Sequence, residues 1–160
     1  MTRKYQNSRL PIAWILVADR ARARIFESDW PVDDRLQEID SYVHPESQMR
    51  ESEVLSDNEG RFAERAAGQH NGEPQTDFRH RTATDFALVV AERLEDGRIN
   101  NKFGHLVILA PSLFLGVLRS KLGAPLEKLV EAEIAKDYTQ LSSRELLPLL
   151  QRSPELMASF

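Results

Sequence analysis

The chain of 160 residues contains no cysteine. Without a thiol there is no disulfide framework and no thiolate metal site, and the lack suits a reducing compartment. Long apolar runs are also missing, and nothing approaches the roughly 20 consecutive apolar residues that a membrane-spanning helix needs. The nearest is the stretch from Leu10 to Ala18, which follows Arg3 and Lys4 as the core of a secretory signal would. It is short for that role and has Pro11 inside it, so it reads as a buried strand. Glycine is sparse, with seven in the chain. None of them builds a phosphate-binding loop, a dinucleotide fingerprint or a Gly-x-Ser-x-Gly elbow, which leaves serine and cysteine nucleophile schemes without support. A positive excess is missing as well. The net charge of −4 excludes a surface that binds nucleic acid indiscriminately.

What is present is the composition of one globular domain, 41% hydrophobic and 29% charged, with enough chain to bury a core without covalent staples. Charge is unevenly spread. Residues 1–24 hold Arg3, Lys4, Arg9, Arg20, Arg22 and Arg24 against Asp19 alone, so six bases and one acid leave this segment at +5. A local basic face on an acidic protein follows from that placement.

After a loose polar tail over residues 1–9, residues 12–18 are apolar on both faces, as a central strand requires. The short polar stretch Asp19-Arg20-Ala21-Arg22 then turns the chain, and the alternation that follows completes a β-hairpin with Arg22 and Arg24 on one face and Ala23 and Ile25 on the other. A third strand is expected around Leu36 to Val43. Periodicity vanishes from residue 44 to residue 77. Unpatterned stretches beyond about 12–15 residues are rare in compact domains and usually mean function or disorder.

Thr82-x-x-Asp85 reads as a capping box opening a helix through Ala83, Phe86, Ala87, Val90 and Leu94, closed by Gly97. His105 to Ala110 is a buried strand stopped by Pro111. Ser112 is placed to cap a second helix carrying Leu113, Phe114, Val117, Leu118 and Leu122 and ending at Gly123, and Pro125 suits the first position of a helical turn. Val130, Ala132 and Ile134 alternate with glutamates, as an edge strand does. Ser142-x-x-Glu145 is a second capping box, before Leu146, Leu149 and Leu150. Pro148 lies inside that helix, where it costs about 3 kcal/mol outside the first turn, so a later start or a kink is expected. The order is a β-hairpin and meander, then αβαβα, an α/β fold whose mixed β-sheet carries helices on its faces, in one domain over residues 1–160.

The segments WILVADRARARIFE at 14–27, SDNEGRF at 56–62, FALVVAERL at 86–94, HLVILAPSLFLGVLRSKLG at 105–123 and IAKDYTQLSSRELLPLL at 134–150 resemble the host attachment protein family. The resemblance covers most of the chain. It implies a compact fold similar to the middle domain of archaeal and eukaryotic release factors, whose Gly-Gly-Gln tip enters the ribosomal peptidyl-transferase centre. The family's name implies a part in bacterial attachment to host cells. Two places depart from the pattern: Pro148, and the looser stretch around Asn58-Glu59, which leaves Gly60-Arg61 without an assigned role.

Ala67-Gly68-Gln69 lies where a release factor's tip would lie, with one of its two glycines. Glycine lets a backbone approach RNA closely, and a glutamine amide can orient a water. A binding face for structured RNA or the ribosome would therefore draw on Arg20, Arg22, Arg24, Arg61, Arg65, Gly68, Gln69, Arg79 and Arg81. Acids outnumber bases in the loop itself, which favours a solvated segment or a protein partner. The enzymatic rival is a metal-dependent nuclease in which Asp19, Glu92 and Asp137 converge on Mg²⁺, although each also suits a turn, a helix surface or a strand end. His70 and His80 share the loop with Asp77 in no zinc spacing. His105 reads as a packed, hydrogen-bonded core residue. Gly116 inside an apolar helix predicts close approach of another backbone, from the sheet before a second subunit, and Arg119 beside it predicts an ion pair or an anion contact. The expectation is a non-catalytic binding module with no cofactor and no metal, in the cytoplasm, engaging RNA or the ribosome, with a protein-interaction factor linked to host attachment as the alternative.

Overall fold

A computed structural model describes residues 9–44 and 74–157, and the sheet follows directly from how its strands are connected. The strands are β1 (Ile12–Ala18), β2 (Arg22–Asp29), β3 (Gln37–Val43), β4 (His105–Leu109) and β5 (Val130–Ile134). The helices are α1 (Pro74–Ile99), α2 (Ser112–Arg119), α3 (Ala124–Glu127), α4 (Ser143–Gln151) and α5 (Pro154–Met157). A tight turn joins β1 to β2 and a short connection joins β2 to β3, so the three pair antiparallel, whereas the helical crossovers before β4 and β5 let both run parallel to β1. The result is a mixed five-stranded sheet in the order β3-β2-β1-β4-β5.

The strand that is apolar on both faces thus stands in the middle. Trp14, Leu16 and Ala18 of β1 point into a core closed by α1, α2 and α3. Ile15 and Val17 point into a second core with Phe26, Leu146 and Leu150 of α4 and Leu156 of α5. Helices on both faces make the domain a three-layered α/β sandwich.

Several helix boundaries differ from the sequence expectation. Helix α1 begins at Pro74, eight residues before the Thr82-x-x-Asp85 signature. Thr82 is buried within the helix and its hydroxyl donates back to the carbonyls of Phe78 and Arg79 at 2.9 and 3.1 Å, so no capping box forms there. Of residues 77–81 only Phe78 is buried, too few to print a period. The start is favoured instead by Pro74, whose missing N–H costs nothing at a first position, and by Asp77 in the first turn. The last four residues of the stretch without periodicity are therefore helical, and residues 45–73 lie outside the described residues.

Gly97 does not close α1, which continues to Ile99. The left-handed residue after it is Asn101, at φ 53°. Gly97 is a contact glycine: a Cβ there would stand 2.5 Å from the Trp14 ring. Ser112 is the first residue of α2 rather than its cap. Pro111 holds the cap position without a side-chain bond. Gly123 precedes α3, with Pro125 in that helix's first turn as expected. The second capping box does form: Ser142 Oγ accepts from the Glu145 N–H and Glu145 Oε2 from the Ser142 N–H. Helix α4 starts where that box places it and runs on through Pro148. Pro148 is exposed, so water can take up the carbonyl that its missing N–H leaves.

Edge strand β3 has little apolar surface to bury and is held by a polar tie to α1. Arg93 Nε donates to Asp40 Oδ2 at 2.9 Å, and the Tyr42 hydroxyl donates to the same oxygen. Burial works to raise the Asp40 pKa, but the Tyr42 and Arg93 hydrogen bonds outweigh it and leave the carboxyl below its usual value. Burial, then the bond to Asp40, pushes the Tyr42 hydroxyl up to about 12. A folded-state pKa above the unfolded value means that the folded protein holds the proton more tightly. The tie therefore contributes fully below the unfolded tyrosine pKa of about 10 and is lost as pH rises towards the folded value. Urea midpoints measured from pH 9 to 12 should fall more steeply for the native protein than for Tyr42→Phe, and parallel curves would refute the assignment.

Candidate functional site

The turn between β1 and β2 is built by one carboxylate. Asp19 Oδ1 accepts the backbone N–H groups of Ala21 and Arg22, both at 2.8 Å, while the Asp19 N–H donates to the Arg22 carbonyl at 2.9 Å. This closed Asx-type turn places Arg20 and Arg22 at the end of the hairpin. Both are half-buried, and Arg22 Nε is buried with no hydrogen-bond partner among the described residues. As the alternation predicts, Ala23 and Ile25 are fully buried on the α1 side.

Arg24, on the other face, is wholly engaged. Nε and Nη2 grip Glu38 of β3 at 3.1 and 3.0 Å, and Nη1 donates to the Thr139 carbonyl at 3.2 Å and to that of Leu141. Its guanidinium lies 4.8 Å over the Phe26 ring. This arginine is thus spent on joining the hairpin to β3 and to the segment before α4.

Two of the three carboxylates considered for a metal do lie close together. Thr139 Oγ1 is 2.6 Å from Asp137 Oδ1 and 3.4 Å from Asp19 Oδ2. Glu92 is exposed on α1 and does not join them, and among the described residues no group of three or more histidine or acidic side chains could hold a metal ion. Asp19 and Asp137 each accept backbone N–H bonds, so both are committed to turn geometry.

The hairpin end neighbours the start of α1. The His44 N–H donates to the Ala21 carbonyl at 2.7 Å, and the His44 ring stacks on Phe86 of α1 with centroids 5.2 Å apart. Arg79 and Arg81 are exposed, seven and five residues before Phe86, or about 8–10 Å along the axis. Arg20, Arg22, Arg79 and Arg81 therefore belong to one end of the domain. Arg61, Arg65, Gly68 and Gln69, like His70, lie outside the described residues.

Elsewhere the structure settles alternatives. His105 is packed and hydrogen-bonded: Nδ1 lies 2.6 Å from Glu131 Oε1 and the ring stacks on Trp30. Arg119 pairs with Glu133 of β5, its Nε 3.1 Å from the nearer oxygen. Gly116, however, is not approached by the sheet. A Cβ added there would meet nothing within 4 Å, because α2 turns this position outward beside exposed Leu113. With no steric cost, Gly116→Ala should stabilise the domain by about 0.5–1 kcal/mol, read as a higher denaturation midpoint, and a loss of stability would contradict this placement.

One concavity has no signature in the sequence. Leu109, Ile134 and Leu150 floor a pocket of about 320 Å³ rimmed by Lys136, Tyr138 and Arg152. Its residues come from β4, β5, α4 and the segments after them, so no local motif marks it.

A family model described as "Protein required for attachment to host cells" matches residues 14–150. No curated protein matches the chain.

Proposed function

The chain belongs to the family of proteins required for attachment to host cells, and from that premise we propose that it is a non-catalytic protein-interaction module serving attachment. The observation that carries the reading is the reach of the family match, which runs from the middle of β1 to the end of α4 and so takes in both faces of the sheet. Among the described residues no helix is long and apolar enough to cross a membrane. On this reading the contribution to attachment is binding between proteins, made by a module in the cytoplasm. The test has two parts. A strain lacking the protein should adhere less to host cells and recover on complementation. Capture from nuclease-treated lysate should retain the same protein partners as untreated lysate. Undiminished adhesion, or partners lost with the nucleic acid, would overturn the proposal.

The shared placement of the hairpin turn and the first turns of α1 favours a second reading, in which Arg20, Arg22, Arg79 and Arg81, with Arg61, Arg65 and a Gly68-Gln69 tip, contact structured RNA or the ribosome. Phosphate contacts strengthen as salt falls. Sedimentation with ribosomal particles at two salt concentrations separates the readings, since absence from the pellet at low salt leaves only the protein-interaction module.

A further inference from the structure

We infer that the pocket between the carboxyl ends of β4 and β5 and helix α4 binds a small amphiphilic anion, an apolar body bearing one carboxylate or phosphate. Independently of the attachment reading, three features of the pocket support this. Its floor is hydrocarbon: Leu109, Ile134 and Leu150 are buried core residues of the second core, and their outer surfaces face the pocket. Its volume of about 320 Å³ falls within the range of about 300–1,000 Å³ usual for small-molecule sites, which are mostly apolar with a few placed polar groups. Its rim carries two cations, Lys136 and Arg152, and neither takes part in an ion pair within 4 Å among the described residues.

The acid of the lining does not cancel them. Glu155 Oε2 accepts the hydroxyl of the buried Ser153 at 2.7 Å, so this carboxylate is turned towards the start of α5. The Ser153 bond is also the first cause of its lowered pKa, with Lys136 contributing from a distance. Arg152 has a second explanation, because a cation at the end of α4 answers the helix dipole. Lys136 follows strand β5, where no helix end requires a positive charge, and its charge is felt by Glu155 without an ion pair within 4 Å among the described residues. Two cations against one engaged acid leave the rim at +1 above an apolar floor, and Tyr138 adds a ring to pack against and a hydroxyl to donate. A neutral apolar ligand would strand those charges, and a free inorganic anion would leave the floor wet. A molecule with both parts satisfies both surfaces.

The experiment titrates the ¹⁵N-labelled full chain with three probes of similar body: 3-phenylpropionate, phenyl phosphate and the neutral 3-phenylpropan-1-ol. The carboxylate, the phosphate or both should produce saturable shifts concentrated at the amides of Leu109, Ile134, Tyr138 and Leu150, and which acts identifies the headgroup. The alcohol should bind about tenfold more weakly or not at all, since hydrogen bonds to charged groups are the stronger ones. Lys136→Gln and Arg152→Gln, both surface changes, should each weaken the anion about three- to tenfold. Equal binding of the alcohol, unchanged affinity in both variants, shifts centred elsewhere, or no saturation by either anion would each overturn the inference.

Discussion

Trp14→Ala should cost the domain about 3–5 kcal/mol, a large part of the roughly 5–15 kcal/mol that holds an ordinary domain together. Trp14 is 2% exposed in the middle strand. Its ring stacks on Phe103 with centroids 4.6 Å apart, and the Arg93 guanidinium lies 4.9 Å over it. Gly97 of α1 is bare because the ring occupies the place of its Cβ. The residue therefore joins β1, α1 and the segment before β4, and its removal leaves a cavity that stiff neighbours fill poorly. Its indole N–H is buried without a partner among the described residues, so the loss is one of packing rather than of a hydrogen bond. Trp14→Phe, which keeps a ring and discards that orphan donor, should recover a good share of the stability. A double-mutant cycle gives the sharper check. Gly97→Ala alone should destabilise by about 1–3 kcal/mol through overpacking, yet be neutral or favourable beside Trp14→Ala. Additive urea midpoints would show that the two positions do not touch.

The sheet was legible in the sequence because its information is local. A strand apolar on every residue must lie between neighbours, a four-residue polar turn must return antiparallel, and a strand such as Val130 to Ile134, with glutamates at alternate positions, belongs at an edge. All three inferences rest on a period of two that neighbouring residues print by themselves. Helix ends were read less well. The Thr82-x-x-Asp85 pattern looks the same whether threonine bonds forward to cap a helix or back to a carbonyl within one. Gly97 and Gly116 show the same ambiguity: both lie inside helices, yet one stands against a tryptophan ring and the other faces open space. A glycine reports that a side chain is missing, and only the fold tells what stands in its place.

The candidate site was less legible for a related reason. The signature of an arginine-bearing hairpin is present, and Arg20, Arg22 and Arg24 stand on the turn and face that alternation assigned them. What alternation does not carry is which partner lies more than a hundred residues along the chain, and Arg24 reaches the carbonyls of Thr139 and Leu141. The pocket at Lys136, Tyr138 and Arg152 has no mark in the sequence, because its floor consists of residues whose pattern is that of core. The tip expected at residues 67–69 lies outside the described residues.

Arg24→Ala should therefore act on folding rather than on recognition, with a loss of about 2–4 kcal/mol. The change strips a half-buried pairing from Glu38 and leaves the Thr139 carbonyl and that of Leu141 without their donor just before α4, the helix that closes the second core. Arg24→Lys should recover only part of this, because an ammonium does not span a bidentate carboxylate and two carbonyls at once. Arg22→Ala, on the same hairpin but with no side-chain hydrogen bond or ion pair to the body among the described residues, should stay within about 0.5–1 kcal/mol of the native protein. The contrast separates the two roles a basic hairpin can have. If the hairpin existed chiefly to grip phosphates, the two alanine variants would melt alike and both would lose RNA in low salt. The geometry requires instead that Arg24→Ala lower the denaturation midpoint well below that of Arg22→Ala, and equal midpoints would mean that Arg24 does not hold the hairpin to the segment before α4.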